Sequence, residues 1–285
     1  MEARSGPERA SEPRRFVTLE IAARGVAVVT VRREPVNAMN PELLDELDGV
    51  VSELHDRVDV RSVIFTSGLP GFFMVGLDLA VVDAAIGDDV GRRIAPEEEQ
   101  ALRTGVWRFQ RTLDAIEALP QPTIAAMAGH AVGGGAELAL ACDLRLLAAD
   151  PDLRIGFLEV RWGITPPAGG TQRLPRIVGF SNALMLLLEG RRLAPTEALA
   201  IGLVHELVDP AALSAHARRR AERLAGGGRL AQAMIKRCLY GPAGGSAGSV
   251  LENLAFTQCL ASSEGQEGVR AFRSGRRPRF RHRDG

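Results

Sequence analysis

Lysine is almost absent from this sequence: Lys236 is the only one, and arginine supplies the rest of the 35 basic residues. The 35 acidic residues balance them, so the formal net charge is +0. Because neither sign of charge dominates, the composition argues against a strongly basic surface that coats nucleic acid and against a polybasic membrane patch.

Cysteine is scarce as well, with Cys142, Cys238 and Cys259 widely spaced along the chain. Three such residues predict neither a disulfide framework nor a cysteine-based zinc site. The five histidines show no ligand spacing, so we expect no metal. Free cysteines are typical of a reducing compartment, and the sequence therefore predicts a cytoplasmic protein.

Long apolar runs are missing too, since none approaches the roughly 20 residues that span a bilayer. The first residues, MEARSGPERASEPRR, lack the apolar segment of a secretory signal, and their glutamates argue against a transit peptide. We expect residues 1–15 to be a disordered tail. The remainder has an ordinary globular composition, 46% hydrophobic and 25% charged, and can bury a sizeable core.

The N-terminal half alternates between strand-like and helix-like patterns. Two β-branched runs at 16–21 and 25–32 predict paired strands. Asn40 then precedes Pro41, which is the pattern of a capped helix start. One helical stripe follows, consisting of Leu43, Leu44, Leu47, Val50, Val51 and Leu54.

Further strands and helices interleave until the C-terminal third. A helix is predicted from Glu97 to about Leu119, and the segment 79–96, which has no strong period, is predicted to be a mobile surface loop. Further strands are predicted at 61–67, 122–129 and 144–150. Interleaving of this kind is typical of an α/β fold. Beyond about residue 180 the sequence is helical apart from the strand-like run 203–209, so we divide it into a core, 16–205, and a helical region, 206–285.

Two glycine-containing clusters have the composition of loops that point backbone N–H groups at a ligand. GHAVGGGAE (129–137) leads into a helix, and GFFMVGLD (71–78) could supply a second donor. Neither has the lysine of a phosphate-binding P-loop or the spacing of a dinucleotide fingerprint. A helix dipole behind such a loop favours a developing oxyanion, so the clusters indicate stabilisation of a carbonyl oxygen.

Two glutamates lie near these clusters in the sequence. Taken alone, Glu137 could merely complement a helix dipole, and Glu159 could be an ordinary salt-bridged carboxylate beside Arg161. If both lay beside an oxyanion site, burial would raise their pKa values toward neutrality. One could then accept a proton while the other donates one.

Five blocks occur in the order found in a known family: EPVNAMN, GFFMVGLDL, GHAVGGGAELALACDLRLLA, FLEVRWGITPPAGGTQRLPRIVG and EGVRAF. With them the chain resembles the crotonase, or enoyl-CoA hydratase/isomerase, superfamily from about Phe16 to Phe280. The resemblance implies an α/β fold with a ββα spiral core and a C-terminal helical region that trimerises, often into a hexamer of two trimers. It also implies a coenzyme A thioester as substrate, with no cofactor beyond the coenzyme A that the substrate carries.

The resemblance also implies site residues. The N–H groups of Leu77 and Gly134 would form the oxyanion hole. Ala38, Val75 and Asp78 would lie along the adenine and pantetheine path of coenzyme A.

Retention of two glutamates favours a hydratase within this family, and the resemblance implies a role in fatty acid metabolism. By resemblance, Glu137 and Glu159 would hold the water, one taking its proton and the other protonating the α-carbon. Isomerases of the family can work with a single acid, so the presence of both favours hydration. Double-bond isomerisation stays open as the alternative, as do other lyase, decarboxylation or hydrolysis reactions of acyl-CoA. A catalytically silent subunit is disfavoured because both acids are present.

Several positions depart from the family pattern. Met74, Val75 and Leu77 put bulk beside the thioester, where small residues are usual. Leu158 replaces a common proline before Glu159, which leaves the position of that carboxyl less certain than that of Glu137. Pro167 replaces a usual glycine and stiffens its loop.

One branch of the family binds RNA through a lysine-rich helix. The corresponding helix here, PELLDELDGVVSELHDR, is acidic and has no lysine, and phosphate contacts need cations, so we expect no nucleic-acid partner. The phosphates of coenzyme A need partners too. Arginine's planar fork suits phosphate, and we predict Arg276 and Arg277 in this role, with Lys236 the only lysine that could assist.

Overall fold

A computed structural model of the chain describes residues 14–86, 94–241 and 245–280. Its strands are β1 (Val17–Ala22), β2 (Val26–Val31), β3 (Ser62–Ser67), β4 (Phe72–Met74), β5 (Thr123–Met127), β6 (His130–Val132), β7 (Leu144–Ala148), β8 (Ile155–Gly156), β9 (Arg192–Leu193) and β10 (Glu206–Val208). Its α-helices are α1 (Pro41–Asp56), α2 (Leu79–Ile86), α3 (Pro96–Ala118), α4 (Gly134–Ala141), α5 (Gly170–Val178), α6 (Phe180–Glu189), α7 (Pro195–Ala200), α8 (Leu213–Ala225), α9 (Arg229–Tyr240), α10 (Gly245–Ala261) and α11 (Ser263–Arg273).

The strands form two sheets. The larger has the order β1-β2-β3-β5-β7-β10, and the smaller has the order β4-β6-β8-β9. Pairing is parallel except between β1 and β2 and between β8 and β9. A strand of the large sheet, a strand of the small sheet and then helix recur as β3-β4-α3, β5-β6-α4 and β7-β8-α5. This repeat is the predicted ββα core of an α/β fold.

Helix α1 begins and packs as the sequence predicts. Asn40 Oδ1 accepts a hydrogen bond from Leu43 N at 3.0 Å, which satisfies one free N–H of the first turn. The whole predicted apolar stripe is buried in the core. Helix α3 begins at Pro96, and the Glu98 carboxylate accepts from Ala95 N at 2.8 Å, so its predicted extent is confirmed to within one residue.

The prediction of a loop over 79–96 is wrong for residues 79–86, which form helix α2. Asp78 Oδ1 accepts a hydrogen bond from Ala80 N at 3.2 Å and so caps this helix. The sequence LAVVDAAI is apolar nearly throughout and therefore shows no amphipathic period. Residues 87–93 of the predicted loop lie outside the described residues.

The region after residue 205 contributes to the large sheet before it becomes wholly helical. β10, within the strand-like run 203–209, pairs with β7, and α8 packs on the same sheet. The glycines 226–228 then link α8 to α9. Most of the predicted tail, residues 1–13, lies outside the described residues, while Arg15 N donates to Glu46 of α1 at 2.8 Å. No helix in the described ranges is long and apolar enough to cross a membrane.

Candidate active site

Three neighbouring strands deliver the candidate residues to one edge of the small sheet. β4, β6 and β8 are parallel, so the segments that follow them emerge side by side. β4 leads to Gly76 and Leu77, β6 to Gly133 and Gly134, and β8 to Glu159. Such a crevice outside the carboxyl ends of parallel strands is where α/β folds commonly bind ligands.

Leu77 is held with its N–H directed away from the neighbouring loop. Met39 N donates to Gly76 O at 2.9 Å, and Asp78 N donates to Met39 O at 2.8 Å. In an extended segment successive N–H groups alternate in direction, so the Leu77 N–H lies on the side opposite Met39. Within the described chain it donates to no protein acceptor, which leaves it available to a ligand.

The two glycine loops touch each other. A Cβ added to Gly76 would lie 2.9 Å from Gly134 N, and one added to Gly134 would lie 3.1 Å from Gly76 Cα. Gly133 has φ 56° and ψ −129°, a conformation essentially restricted to glycine. It precedes the first turn of α4, where the N–H groups have no partner within the helix and the dipole is positive. The arrangement brings the predicted oxyanion donors, Leu77 and Gly134, into one place.

Glu137 is fully buried in the first turns of α4. Its Oε1 accepts hydrogen bonds from Ala168 N at 2.8 Å and from Gly170 N at 2.7 Å, whereas Oε2 has no partner among the described residues. Burial raises the pKa of this carboxyl to about 7, the two N–H groups oppose the rise, and the negative charge of Glu159 adds to it. The negative charge of Glu159 thus adds to the effect of burial in favouring the protonated form of Glu137.

Glu159 opens a 3-10 helix, Glu159–Trp162, and lies against the glycine turn. A Cβ added to Gly133 would be 3.1 Å from Glu159 Oε1. Both carboxyl oxygens are buried and have no partner within hydrogen-bond geometry in the described part of the chain. Burial raises the pKa of Glu159 above its ordinary value, and the nearby N–H groups of Glu159 and Leu158 oppose the rise. Unpaired buried carboxyl oxygens are costly, and a polar ligand or a water would relieve that cost.

A cavity of about 310 Å³ opens at this point. Its lining is mainly apolar and consists of Val36, Ala38, Val75, Gly76, Leu77, Asp78, Leu79, Val132, Gly133, Gly134, Leu158, Glu159, Trp162, Ile164 and Pro167. Seven of the nine residues predicted from the sequence are therefore at this site or directly behind it. Glu137 is the one behind, since it contacts the lining but does not itself line the cavity.

The cations that the sequence predicts for coenzyme A do not line this cavity. Arg276 donates two hydrogen bonds to Glu267, at 2.7 and 2.9 Å, and neither it nor Arg277 lines the cavity. Lys236 is buried and pairs with Asp143 at 2.8 Å, so the single lysine joins α9 to the core. The structure thus gives these three residues other surroundings than a phosphate site at this cavity.

Arg33 is a cation directly beside the cavity that the sequence does not single out. It donates to Ala38 O at 2.8 Å and to Asp78 at 2.7 Å, both of which line the cavity. It also lines a second cavity of about 550 Å³ together with Arg15 and Arg32. Its position beside EPVNAMN was visible in the sequence, but only the folded loop shows which way its side chain turns.

Metal-ligating side chains do not gather at this site. Among the described residues no group of three or more His, Cys, Asp or Glu side chains is arranged to hold a metal ion. The polar groups gathered here are backbone N–H donors, the carboxyl of Glu159, which lines the cavity, and the carboxyl of Glu137, which lies directly behind it.

Comparison with known proteins places this geometry in context. The profile of the family described as Enoyl-CoA hydratase/isomerase matches residues 22–283. The chain is 35% identical, over 258 residues, to the putative enoyl-CoA hydratase/isomerase YngF of Bacillus subtilis, covering 88% of this chain and 93% of that protein. Two solved structures are also similar. The enoyl-CoA hydratase of Bacillus anthracis has a TM-score of 0.82 at 31% identity, covering 93% of this chain and 99% of that one. The putative enoyl-CoA hydratase of Streptomyces coelicolor A3(2) has a TM-score of 0.84 at 30% identity, covering 99% and 100%.

Proposed function

The chain belongs to the enoyl-CoA hydratase/isomerase family, and from this premise we propose that it adds water across the 2,3 double bond of an enoyl-CoA thioester. The observation that carries the proposal is the pair of buried carboxyls, Glu137 and Glu159, which retain oxygens without hydrogen-bond partners beside two backbone N–H donors. Hydration needs this combination, because a proton must be taken from water and another delivered to carbon.

The thioester carbonyl oxygen lies between the N–H groups of Leu77 and Gly134. Water attacks C3, the electrons of the double bond move toward the carbonyl, and the two N–H groups stabilise the enolate oxygen. One glutamate takes the proton of the attacking water, and the other donates its proton to C2. The product is the 3-hydroxyacyl thioester. The first glutamate is then protonated and the second ionised, and transfer of one proton from the first to the second, directly or through water, restores the starting state.

The pKa values of the two glutamates support one acting as proton acceptor and the other as proton donor. Two adjacent buried carboxyls do not both ionise readily, because each negative charge disfavours the other. With the pKa of Glu137 raised to about 7 and that of Glu159 also raised, one acid can remain protonated near neutral pH while its neighbour is ionised. That state has both a donor and an acceptor ready.

Coenzyme A would run from the cavity along Ala38, Val75 and Asp78. For the phosphates we propose Arg33, with Arg15 and Arg32 beside it, because these three arginines line the neighbouring cavity. Arg33 joins the two cavities through its bonds to Ala38 O and Asp78.

Isomerisation of a 3-enoyl-CoA to the conjugated 2-enoyl-CoA is the second candidate. It is favoured by one observation: Glu159 lines the cavity, whereas Glu137 lies behind it. A single acid that removes a proton at C2 and returns it at C4 is sufficient for that reaction.

The experiment follows crotonyl-CoA by the absorbance of its conjugated thioester, with Glu137→Gln and Glu159→Gln alongside the wild type. We expect wild type to remove the absorbance and each variant to be about 10²- to 10⁴-fold slower. Glu189→Gln, an exposed glutamate at the end of α6, is the matched control and should behave as wild type. If neither active-site variant slows hydration, the assignment is wrong. If wild type creates conjugation from a 3-enoyl-CoA without adding water, and only Glu159→Gln blocks it, the isomerase alternative replaces the hydratase.

We also propose that the protein assembles as a homotrimer or as a hexamer of two trimers. Large apolar side chains are exposed on the C-terminal helices, with Phe272 87% and Phe256 68% accessible in the isolated chain. Apolar surface of this extent is typical of a protein interface. Light scattering coupled to size exclusion tests the assembly, and a monomer at micromolar concentration would contradict it.

A further inference from the structure

The segment that binds Glu137 is itself held by a buried arginine. Ala168 N and Gly170 N donate to Glu137 Oε1, and Arg173 Nη1 donates to Ala168 O at 3.0 Å. Gly169, between the two donors, has φ 102°, and a Cβ there would collide with Arg173 Nη1. The guanidinium therefore lies directly beneath the turn that presents both N–H groups.

Arg173 is in turn fixed by one face of helix α3. Its guanidinium donates to Glu117 Oε2 at 2.9 and 3.1 Å and to Asp114 Oδ1 at 2.5 Å. Gln110 Nε2, on the same face, donates to Pro167 O at 2.6 Å. Positions 110, 114 and 117 are spaced by four and three residues, so they line one side of a helix. This side of α3 holds the turn at two points.

We propose that Arg173 is a positioning residue for the reaction: anchored by Glu117 and Asp114, it keeps residues 168–170 in the conformation that binds Glu137 Oε1 and leaves Glu137 Oε2 free to exchange a proton. The inference rests on the proposed function, because it matters to turnover only if Glu137 takes part in catalysis.

The burial of Arg173 is poorly explained if this side chain only fills space. Arg173 is 4% exposed, and burying a guanidinium costs free energy that a well-packed apolar side chain would not incur. Its planar guanidinium donates to Ala168 O and to two carboxylates at once, a geometry that lysine cannot reproduce. The segment it fixes is the one that supplies both hydrogen bonds to Glu137.

The positive charge of Arg173 affects the pKa of Glu137, and a purely structural role would not predict that effect. The groups facing the Glu137 carboxyl are the N–H groups of Gly170 and Ala168, the negative Glu159 and the positive Arg173. Removing the positive charge, and loosening the two N–H groups with it, disfavours the ionised carboxyl and raises its pKa. Whichever proton transfer Glu137 performs, the limb of the pH–rate profile that reports it should move to higher pH.

The test compares Arg173→Gln with Arg173→Lys in the full chain. Arg173→Gln should lower kcat about tenfold, since small misplacements of a reacting group are costly, and should leave KM within about twofold. The Glu137 limb should rise by about half a pH unit or more. Arg173→Lys retains the charge but not the fork, so it should recover part of the shift and part of kcat. Arg145→Lys is the matched control: this arginine is equally buried but binds the carboxyl end of α4, and the variant should leave the pH profile unchanged.

A second measurement separates this proposal from the proposed function. Infrared titration of the carboxyl band, assigned with Glu137→Gln, reports the Glu137 midpoint whether or not the enzyme hydrates crotonyl-CoA. A folded Arg173→Gln protein with an unshifted midpoint and kcat within twofold of wild type would overturn the proposal. If Arg173→Gln does not fold, Glu117→Gln decides: about a fivefold loss of kcat at constant KM supports it, and unchanged kcat refutes it.

Discussion

Adding a single methyl group at Gly76 tests the oxyanion hole without touching either acid. Gly76 has no left-handed conformation, so alanine is compatible with its backbone. The new Cβ would lie 2.9 Å from Gly134 N, and its next neighbours are Gly133 C and Cα at 3.8 Å. Real Cβ atoms almost never come this close to such an atom, so the Gly134 N–H must shift or be covered.

The expected loss of kcat is that of removing one hydrogen-bond donor from the oxyanion hole. Removing one oxyanion-hole hydrogen bond lowers kcat by about 10²- to 10³-fold, equivalent to about 2.7–4 kcal/mol of transition-state stabilisation. Because the displacement needed is a fraction of an ångström, we expect Gly76→Ala at the lower end, about 10²-fold. The assay is hydration of crotonyl-CoA at saturating substrate, together with urea unfolding to show that the variant is folded.

Gly49→Ala is the matched control. Gly49 lies within α1, and a Cβ there would have no atom within 4 Å. This variant should keep full activity and gain about 0.5–1 kcal/mol of stability, since glycine is costly inside a helix. A Gly76→Ala enzyme that is folded and retains kcat within twofold of wild type would refute the proposed use of the Gly134 N–H.

Three further variants probe the charges. The pKa of Glu137 rises from 4.5 to about 7 on folding, so its ionisation destabilises the protein as the pH rises through that window. Glu137→Gln should therefore be more stable than wild type at pH 8, by up to about 3 kcal/mol, and equally stable below about pH 4.5. Urea unfolding measures this, and a loss of stability at pH 8 contradicts it. Arg33→Gln should raise KM for an enoyl-CoA about tenfold, the effect of one charge-assisted hydrogen bond, while leaving KM for the corresponding pantetheine thioester unchanged. Equal effects on both substrates would exclude a phosphate contact. Lys236→Met should cost about 3 kcal/mol of stability, because Asp143 loses its buried partner, with KM unaltered; a raised KM would instead indicate a contact with coenzyme A.

Local patterns were sufficient for much of the fold. The apolar stripe of α1 and its Asn40 cap are both periodic or positional signals, and both are found in the structure. Helix α2 was missed because an almost uniformly apolar segment carries no amphipathic period. The strand β10 was only a strand-like run, since a three-residue strand gains its definition from pairing with β7 rather than from its own sequence.

The site residues that the sequence predicts stand in recognisable motifs, whereas residues that only the fold brings to the site have no such motif. The glycine loops and the two glutamates stand in recognisable blocks, and the parallel strands β4, β6 and β8 bring them together. Arg33 and Arg173 carry no such signal: one turns toward the cavity and the other beneath the 168–170 turn only because of distant packing. The prediction for Arg276 rests on its charge and on the family resemblance, and in the fold its guanidinium donates to a nearby carboxylate, Glu267.

The central claim is that this chain adds water to an enoyl-CoA. The most direct measurement is mass spectrometry of the product after incubating the purified protein with crotonyl-CoA in ¹⁸O-labelled water. The account predicts a 3-hydroxyacyl-CoA that carries one ¹⁸O atom, formed by the wild type and much more slowly by Glu137→Gln and Glu159→Gln. Recovery of unlabelled crotonyl-CoA from the wild type, with no hydroxyacyl product, would contradict it.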